Sequence, residues 1–169
     1  MAGIAYDLLN VLSEQKECYE GLYTLATYKA QAVVEKDIDF LKEIVKREEE
    51  FVGRTSILNR KRIEVFRDIA IVTGLSEKNL TVSSIVDKMG VELEISQKLM
   101  KVREEILEVL DRVKQENENN KILLAHSMEF VDYTLNAIQT TRLAGIEVGY
   151  SKPGYQAETD SRRVFDAIQ

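Results

Sequence analysis

The side chains best suited to catalysis are scarce in this chain. It contains one histidine, His126, and one cysteine, Cys18, among its 169 residues. A catalytic nucleophile needs a base within hydrogen-bond reach, and nothing in the sequence requires these two residues to meet. Carboxylate-bridged di-iron bundles take Glu-x-x-His motifs from two helices, which one histidine cannot supply. We therefore predict that the protein is not an enzyme and that it binds neither a metal nor a cofactor.

The composition favours a folded helical protein and disfavours nucleic acid as its partner. Hydrophobic residues make up 44% of the chain and charged residues 31%, and the single proline, Pro153, lies near the C-terminus. The net charge of -6 disfavours nucleic acid, whose phosphates repel an acidic protein. A basic cluster at residues 59–62 is interpreted as a solvated helix face. No secretory signal and no apolar run of about 20 residues is visible, so we expect a cytoplasmic protein without membrane insertion.

Apolar residues recur at alternating spacings of three and four, which predicts three long helices. The first spans about residues 4–35, the second residues 38 to about 73, and the third about residues 91–143. The buried line of the first helix is expected to be Ile4, Leu8, Val11, Gln15, Cys18, Leu22 and Leu25. In the second helix, further apolar residues flank the corresponding line and suggest that a third helix packs alongside: Val45, Val52, Ile57, Ile63 and Phe66.

Capping residues set the predicted ends of these helices. Asp37 should cap the second helix and Gly74 should end it in the left-handed conformation. The turn before Asp37 is short, which makes the first two helices antiparallel neighbours. A short connecting helix, capped by Thr81 or Ser83, follows and ends near residue 89. Gly145 is predicted to end the third helix.

The predicted fold class is all-α: an elongated antiparallel helical bundle or coiled coil of three long helices plus one short connecting helix. The bundle is assigned to residues 1–145 and a flexible C-terminal tail to residues 146–169. At 1.5 Å per residue the third helix would be roughly 80 Å long and the first two about 50 Å each. The third helix should therefore overhang its partners or bend at its Asn-rich middle.

Two pairs of residues have alternative interpretations. Asn117 and Asn120 fall near core spacing in the third helix, so they either lie at a solvated point or form hydrogen bonds across the bundle that fix its register. Gly21 and Gly53 lie at the same level of the first two helices. Close helix approach would explain them, but Gly53 falls outside the buried line, and we favour no special role for either glycine.

The second half of the third helix is the candidate partner-binding surface. If this half overhangs, its apolar residues have no helix of the same chain to cover them, and exposed apolar stripes mark partner sites. The alternative is that they pack within the bundle or a dimer. The candidate residues are Leu123, Phe130, Tyr133, Leu135, Ile138 and Leu143.

Two stretches of the sequence resemble the FlgN family. The first is Asn117-x-x-Asn120-x-x-Leu123-Leu124-x-x-Ser127-x-x-Phe130, followed by Leu135. The second is Gly149-Tyr150-Ser151-Lys152-x-Gly154, leading to Arg163-x-Phe165-Asp166. The order and length of the predicted helices agree with that family along the whole chain.

The resemblance implies a cytosolic chaperone of the flagellar type III export system. Such chaperones bind the C-terminal helices of hook–filament junction (hook-associated) proteins, prevent their premature assembly and deliver them to the export apparatus. Because the family binds its clients through its C-terminal region, the resemblance adds tail residues to the candidate surface: Tyr150, Val164, Phe165 and Ile168. It also implies a late aromatic residue that contacts the export gate, for which Tyr150, Tyr155 and Phe165 remain alternatives.

Another function stays open on the sequence alone. A structural coiled-coil dimer or scaffold would have the same helical periodicity, and a weak homodimer is compatible with either function. A DNA-associated coiled coil that uses Arg60, Lys61 and Arg62 is a weaker alternative, which would require binding that added salt abolishes.

Overall fold

The computed structural model describes the backbone of residues 2–149 and the side chains of residues 3–78 and 80–142. Within this range the chain forms four α-helices and a 3₁₀ turn, and residues 2–149 contain no strand. The elements are α1 (Ala2–Glu35), α2 (Ile38–Thr73), the turn Glu77–Asn79, α3 (Val82–Met89) and α4 (Glu94–Gly149). The all-α fold predicted from the sequence is confirmed, with three long helices and one short connecting helix.

The chain divides after Ser127 into two compact units, Met1–Ser127 and Met128–Gln169. The first unit contains α1, α2, α3 and the first part of α4. Of the second unit, the structure describes the helical backbone of residues 128–149 and the side chains up to residue 142.

The predicted buried line of α1 is confirmed. Its seven residues are buried or half-buried, and Leu8 and Cys18 are fully buried. Gln15 is also buried, so the line tolerates one polar residue. The buried surface extends sideways to Ala5, Leu12 and Ala26, because α1 has neighbours on more than one side.

Local hydrogen bonds fix the ends of the helices where the sequence places them. The Asp37 Oδ1 atom accepts a hydrogen bond from the Phe40 N–H at 2.9 Å and so caps α2. Gly74 has φ 70, and its N–H donates to the Ala70 carbonyl at 2.9 Å. Of the two candidate caps for α3, Thr81 is the residue used, and it forms a reciprocal capping box with Ser84.

Two hydrophobic clusters hold the first unit together. The larger one joins all four helices, and its buried members are Ala5, Leu8, Leu12, Ile69, Ala70, Leu80, Val82, Ile85, Val86, Ile95, Leu99 and Val102. The smaller one joins α1 and α2 near their connecting turn through Leu25, Ala32 and Ile44. Both clusters follow from the three-and-four spacing, which places apolar residues on one side of each helix.

Polar contacts show the direction of α4 relative to α1 in the first unit. Lys16 of α1 contacts Glu105 of α4, and the Ala26 carbonyl of α1 accepts from Asn120 of α4. Residue numbers therefore rise together along the two helices, which are parallel. The contact between Lys29 and Glu48 joins α1 to α2 and agrees with the antiparallel pairing predicted for these two.

Two details of the sequence-based prediction are wrong. Val45, Val52, Ile57 and Ile63 of α2 are exposed, so no helix of the described part covers them, whereas Phe66 is half-buried and packs against the larger cluster. The line predicted for α2 includes their neighbours in sequence, which are Ile44, Phe51, Leu58 and Arg62. Each exposed residue therefore points about 100° away from that line. In addition, Gly145 does not end α4, which continues to Gly149, because one glycine weakens a helix by about 1 kcal/mol without breaking it.

A candidate protein-binding surface on α4

The candidate residues from the sequence fall into three groups. Leu123 is half-buried in the first unit. Phe130, Tyr133, Leu135 and Ile138 are exposed residues of the second unit. The remaining candidates lie outside the described side chains: Leu143, Tyr150, Val164, Phe165 and Ile168. The alternatives for the gate-binding aromatic residue, Tyr150, Tyr155 and Phe165, also lie outside them.

Two further apolar residues of the second unit belong with the exposed candidates. Met128 is 67% exposed and Val131 is 53% exposed. They were not singled out as site residues, although the spacing of four and three that runs from Leu124 to Ile138 includes both of them. With these additions, six large apolar side chains are exposed within eleven residues of one helix.

The large apolar side chains described in the second unit occupy one part of the helix surface, which we call the apolar arc; the half-buried Thr134 also lies within it. Its members are Met128, Phe130, Val131, Tyr133, Leu135 and Ile138. At 3.6 residues per turn, the arc extends over about 220° of the helix circumference from Tyr133 to Met128. The rest of the circumference carries polar side chains: Glu129, Asp132, Asn136, Gln139 and Thr140.

A buried asparagine lies near the C-terminal end of the first unit. Asn120 is 3% exposed, and its Nδ2 group donates a hydrogen bond of 2.7 Å to the Ala26 carbonyl. Its Oδ1 atom has no hydrogen-bond partner. Asn117 is exposed. The solvated position is therefore correct for Asn117, and the hydrogen bond across the bundle is correct for Asn120. Asn120 is also the last buried residue in the sequence among the described side chains.

A charged groove of about 340 Å³ lies between α1 and α4 in the first unit. Lys16 Nζ donates to Glu105 Oε2 across it at 2.9 Å. This hydrogen bond lowers the pKa of the Glu105 carboxyl and raises the pKa of the Lys16 ammonium group. The other lining side chains include Glu20, Glu108 and Arg112. The arrangement is that of an ion pair between two helices.

The described residues contain no group of three or more His, Cys, Asp or Glu side chains that could hold a metal ion. His126 is exposed on α4, and Cys18 is buried in α1. Among the helices in the part of the chain that the structure describes, none is both long and apolar enough to span a membrane.

The comparisons with known proteins identify the family. Searches of curated proteins and of solved structures gave no match. A family model described as FlgN protein matches residues 1–158, which include the Asn117–Leu135 stretch and the apolar arc. The match covers most of the chain, all four described helices and the whole of the first unit. This chain therefore belongs to the FlgN family of flagellar export chaperones.

Proposed function

We propose that the protein is a cytoplasmic chaperone for hook-associated junction proteins. It binds the helical C-terminal segments of these clients, prevents their premature assembly and delivers them to the flagellar type III export apparatus. Membership of the FlgN family supports the general role. The client-binding residues are those of the apolar arc, together with Leu123, Leu143 and the tail.

The exposure of the apolar arc is the observation that carries this proposal. All six side chains of the arc are more than half exposed. Large contiguous apolar patches on a folded chain mark surfaces that bind a partner. An amphipathic client helix can cover such a surface with its own apolar side.

The energetics of this contact agree with reversible binding. Burial of about 1,000 Å² of apolar surface would contribute roughly 25 kcal/mol before any cost is subtracted. The loss of translational freedom and the ordering of side chains and chain segments offset much of this. A client held in this way can be released at the export apparatus, which delivery requires.

Isothermal titration calorimetry with a purified junction protein tests the proposal. A triple variant with Phe130→Ser, Leu135→Ser and Ile138→Ser should lose client binding and keep its helical circular dichroism. A matched triple variant with Asn136→Ser, Gln139→Ser and Thr140→Ser changes the polar side of the same stretch and should bind as the wild type does. Unchanged binding by the first variant would rule out this surface as the client site.

A structural coiled-coil dimer is the alternative, because two copies could also cover the exposed apolar arc. Light scattering coupled to size-exclusion chromatography at several protein concentrations distinguishes the two functions. A tight dimer that buries residues 122–144 supports the scaffold. A monomer or weak dimer that binds junction protein supports the chaperone.

A further inference from the structure

We infer that α2 binds α2 of a second copy of the chain, with the two helices antiparallel and centred near residue 54. The contact is made by three exposed apolar residues, Val45, Val52 and Ile63, which we call the exposed line. It uses no residue of the apolar arc. The inference therefore goes beyond the proposed function and does not depend on it.

The exposed line lies on a side of α2 that the bundle does not use. Its members are between 41% and 57% exposed. Their spacings of seven and eleven residues place them within about 20° of one another around the helix. The buried residues Ile44, Leu58 and Ile69 lie about 100–140° away. The line ends before Ala70, which points the same way but is buried.

The charges of α2 are separated along the helix and show what covers the exposed line. Residues 43–50 carry a net charge of -2, from four glutamates against one lysine and one arginine. Residues 58–65 carry a net charge of +2, from two arginines and one lysine against one glutamate. The two segments are equally far from residue 54. An antiparallel pair centred there places the acidic segment of each copy beside the basic segment of the other.

The same centre aligns the apolar side chains. Val45 and Ile63 are each nine residues from residue 54, so Val45 of one copy lies opposite Ile63 of the other. Val52 lies opposite Ser56, whose small side chain leaves room for it. A parallel pair would instead bring residues 43–50 of the two copies together, and their like charges oppose that arrangement.

Glu49 and Arg60 supply a specific contact between the two copies. Both side chains are exposed, and both lie about 40–60° from the exposed line on the same side of it. Glu49 is five residues before the centre and Arg60 is six residues after it. In the antiparallel pair the two residues therefore differ in level by only about 1.5 Å. Two-fold symmetry gives this contact twice.

The size of the contact predicts a weak dimer. Residues 43–65 form a helix about 33 Å long and about 10 Å wide, so the two copies would bury on the order of 700 Å² together. Stable complexes bury about 1,200–2,000 Å². At each end Lys42 of one copy approaches Arg67 of the other. Their own ion-pair partners, Asp39 and Glu77, reduce this repulsion only in part.

An exchange of charges tests the contact by sedimentation equilibrium of the full-length chain at concentrations up to about 1 mM. The wild type should show a monomer–dimer equilibrium. Glu49→Arg and Arg60→Glu should each raise the dimer Kd about tenfold, because each places like charges together twice in the dimer. The double variant should recover most of the wild-type affinity.

This recovery can come only from a contact between copies, because Glu49 and Arg60 are about 16 Å apart along their own helix. Glu50→Arg and Lys61→Glu make the same charge changes about 100° away around the helix, and they should leave the Kd unchanged. A double variant no tighter than the single variants would overturn the inference.

Serine substitutions test the apolar part of the contact. A variant with Val45→Ser and Ile63→Ser should remain monomeric at all these concentrations and keep its helical circular dichroism, since both residues are exposed. Ile57→Ser, also at an exposed position but about 120° away from the line, should dimerise as the wild type does. A wild-type chain that stays monomeric, or a Val45 and Ile63 variant that still dimerises, would overturn the inference.

Disulfide formation tests the direction of the two helices. An equal mixture of Val45→Cys and Ile63→Cys chains should crosslink under mild oxidation. Neither variant alone should do so, because the two copies of either position are about 27 Å apart in the antiparallel pair. Crosslinking of Val45→Cys to itself would overturn the antiparallel order. A dimer that is abolished by Ile138→Ser in the apolar arc, and not by changes in α2, would overturn the site.

Discussion

The glycine at position 21 accommodates an aromatic ring of the neighbouring helix. A Cβ atom added at Gly21 would lie 2.5 Å from Cζ of Phe51, whereas one added at Gly53 would meet nothing within 4 Å. The sequence-based preference for no special role is therefore wrong for Gly21 and correct for Gly53. Spacing alone shows that both glycines lie at the same level, but it does not show which of them faces the partner helix.

This contrast predicts opposite effects for the same substitution. Gly21→Ala should lower the free energy of unfolding by about 1–3 kcal/mol, because the added methyl group overpacks the contact with Phe51. Gly53→Ala should raise it by up to about 1 kcal/mol, because alanine favours the helix. Urea denaturation followed by circular dichroism measures both. A stabilising Gly21→Ala would show that the ring moves aside freely, and Phe51→Leu combined with Gly21→Ala should recover part of the loss.

The asparagines in the middle of α4 predict a second contrast at the residue scale. Asn120→Leu removes the hydrogen bond to Ala26 together with an unsatisfied buried oxygen, so stability should stay equal or rise while alternative helix registers become accessible. Nuclear magnetic resonance spectra should then show additional or broadened amide peaks. Asn117→Leu, at an exposed position, is the control and should leave the spectrum unchanged. A single sharp set of peaks for Asn120→Leu would contradict a role in register.

At the scale of elements, local chemistry made most of the helix positions predictable. The ends of α2 at Asp37 and Gly74 were predictable, because capping depends on residues that are close in sequence. The buried line of α1 was predictable because its spacing repeats over many turns. The exposure of Val45, Val52, Ile57 and Ile63 was not predictable, because it depends on where α4 lies, which no local pattern encodes. Residue type and spacing predicted the exposed candidates of α4, but the prediction did not include Met128 and Val131.

The contact between α1 and α4 predicts a dependence of stability on pH. The pKa of Glu105 is lowered in the folded protein by the hydrogen bond from Lys16. The contact therefore stabilises the folded protein at pH values above the ordinary pKa of a carboxyl group, and this stabilisation is lost as the pH falls. The pKa of Lys16 is raised, so the contact is also lost as the pH rises through the folded value. The contribution of this contact to the free energy of unfolding should therefore be constant between the pH range where Glu105 titrates and the range where Lys16 titrates.

Glu105→Gln tests this expectation. The variant should be slightly less stable than the wild type at pH 7, and the difference should shrink toward pH 3, where Glu105 becomes protonated. Urea denaturation at both pH values measures it, and the effect should be small because the pair is partly solvated. Glu94→Gln, which removes a contact to Lys98 within one helix, is the matched control for a carboxylate that does not join two helices. A difference for Glu105→Gln that is the same at both pH values would contradict the assignment.

At the scale of the whole molecule, the side chains that build a core and those proposed to bind a client lie in different parts of the sequence. All the buried residues among the described side chains occur at or before Asn120, and the chain divides after Ser127. The assignment of residues 1–145 to the bundle and 146–169 to a tail remains a prediction. The exposed apolar arc begins at Met128, directly after the division, so stability and binding should be separable by truncation.

A chain shortened to residues 1–127 should therefore fold without the rest. Its free energy of unfolding should stay within about 1 kcal/mol of the full-length value, because both hydrophobic clusters remain complete. The urea transition should remain cooperative by circular dichroism, while calorimetry should detect no binding of junction protein. A loss of several kcal/mol, or a broadened transition, would mean that residues 128–169 contribute to the core. In that case the apolar arc would have a structural role in the chain itself, and the proposal that a client covers it would need a different surface.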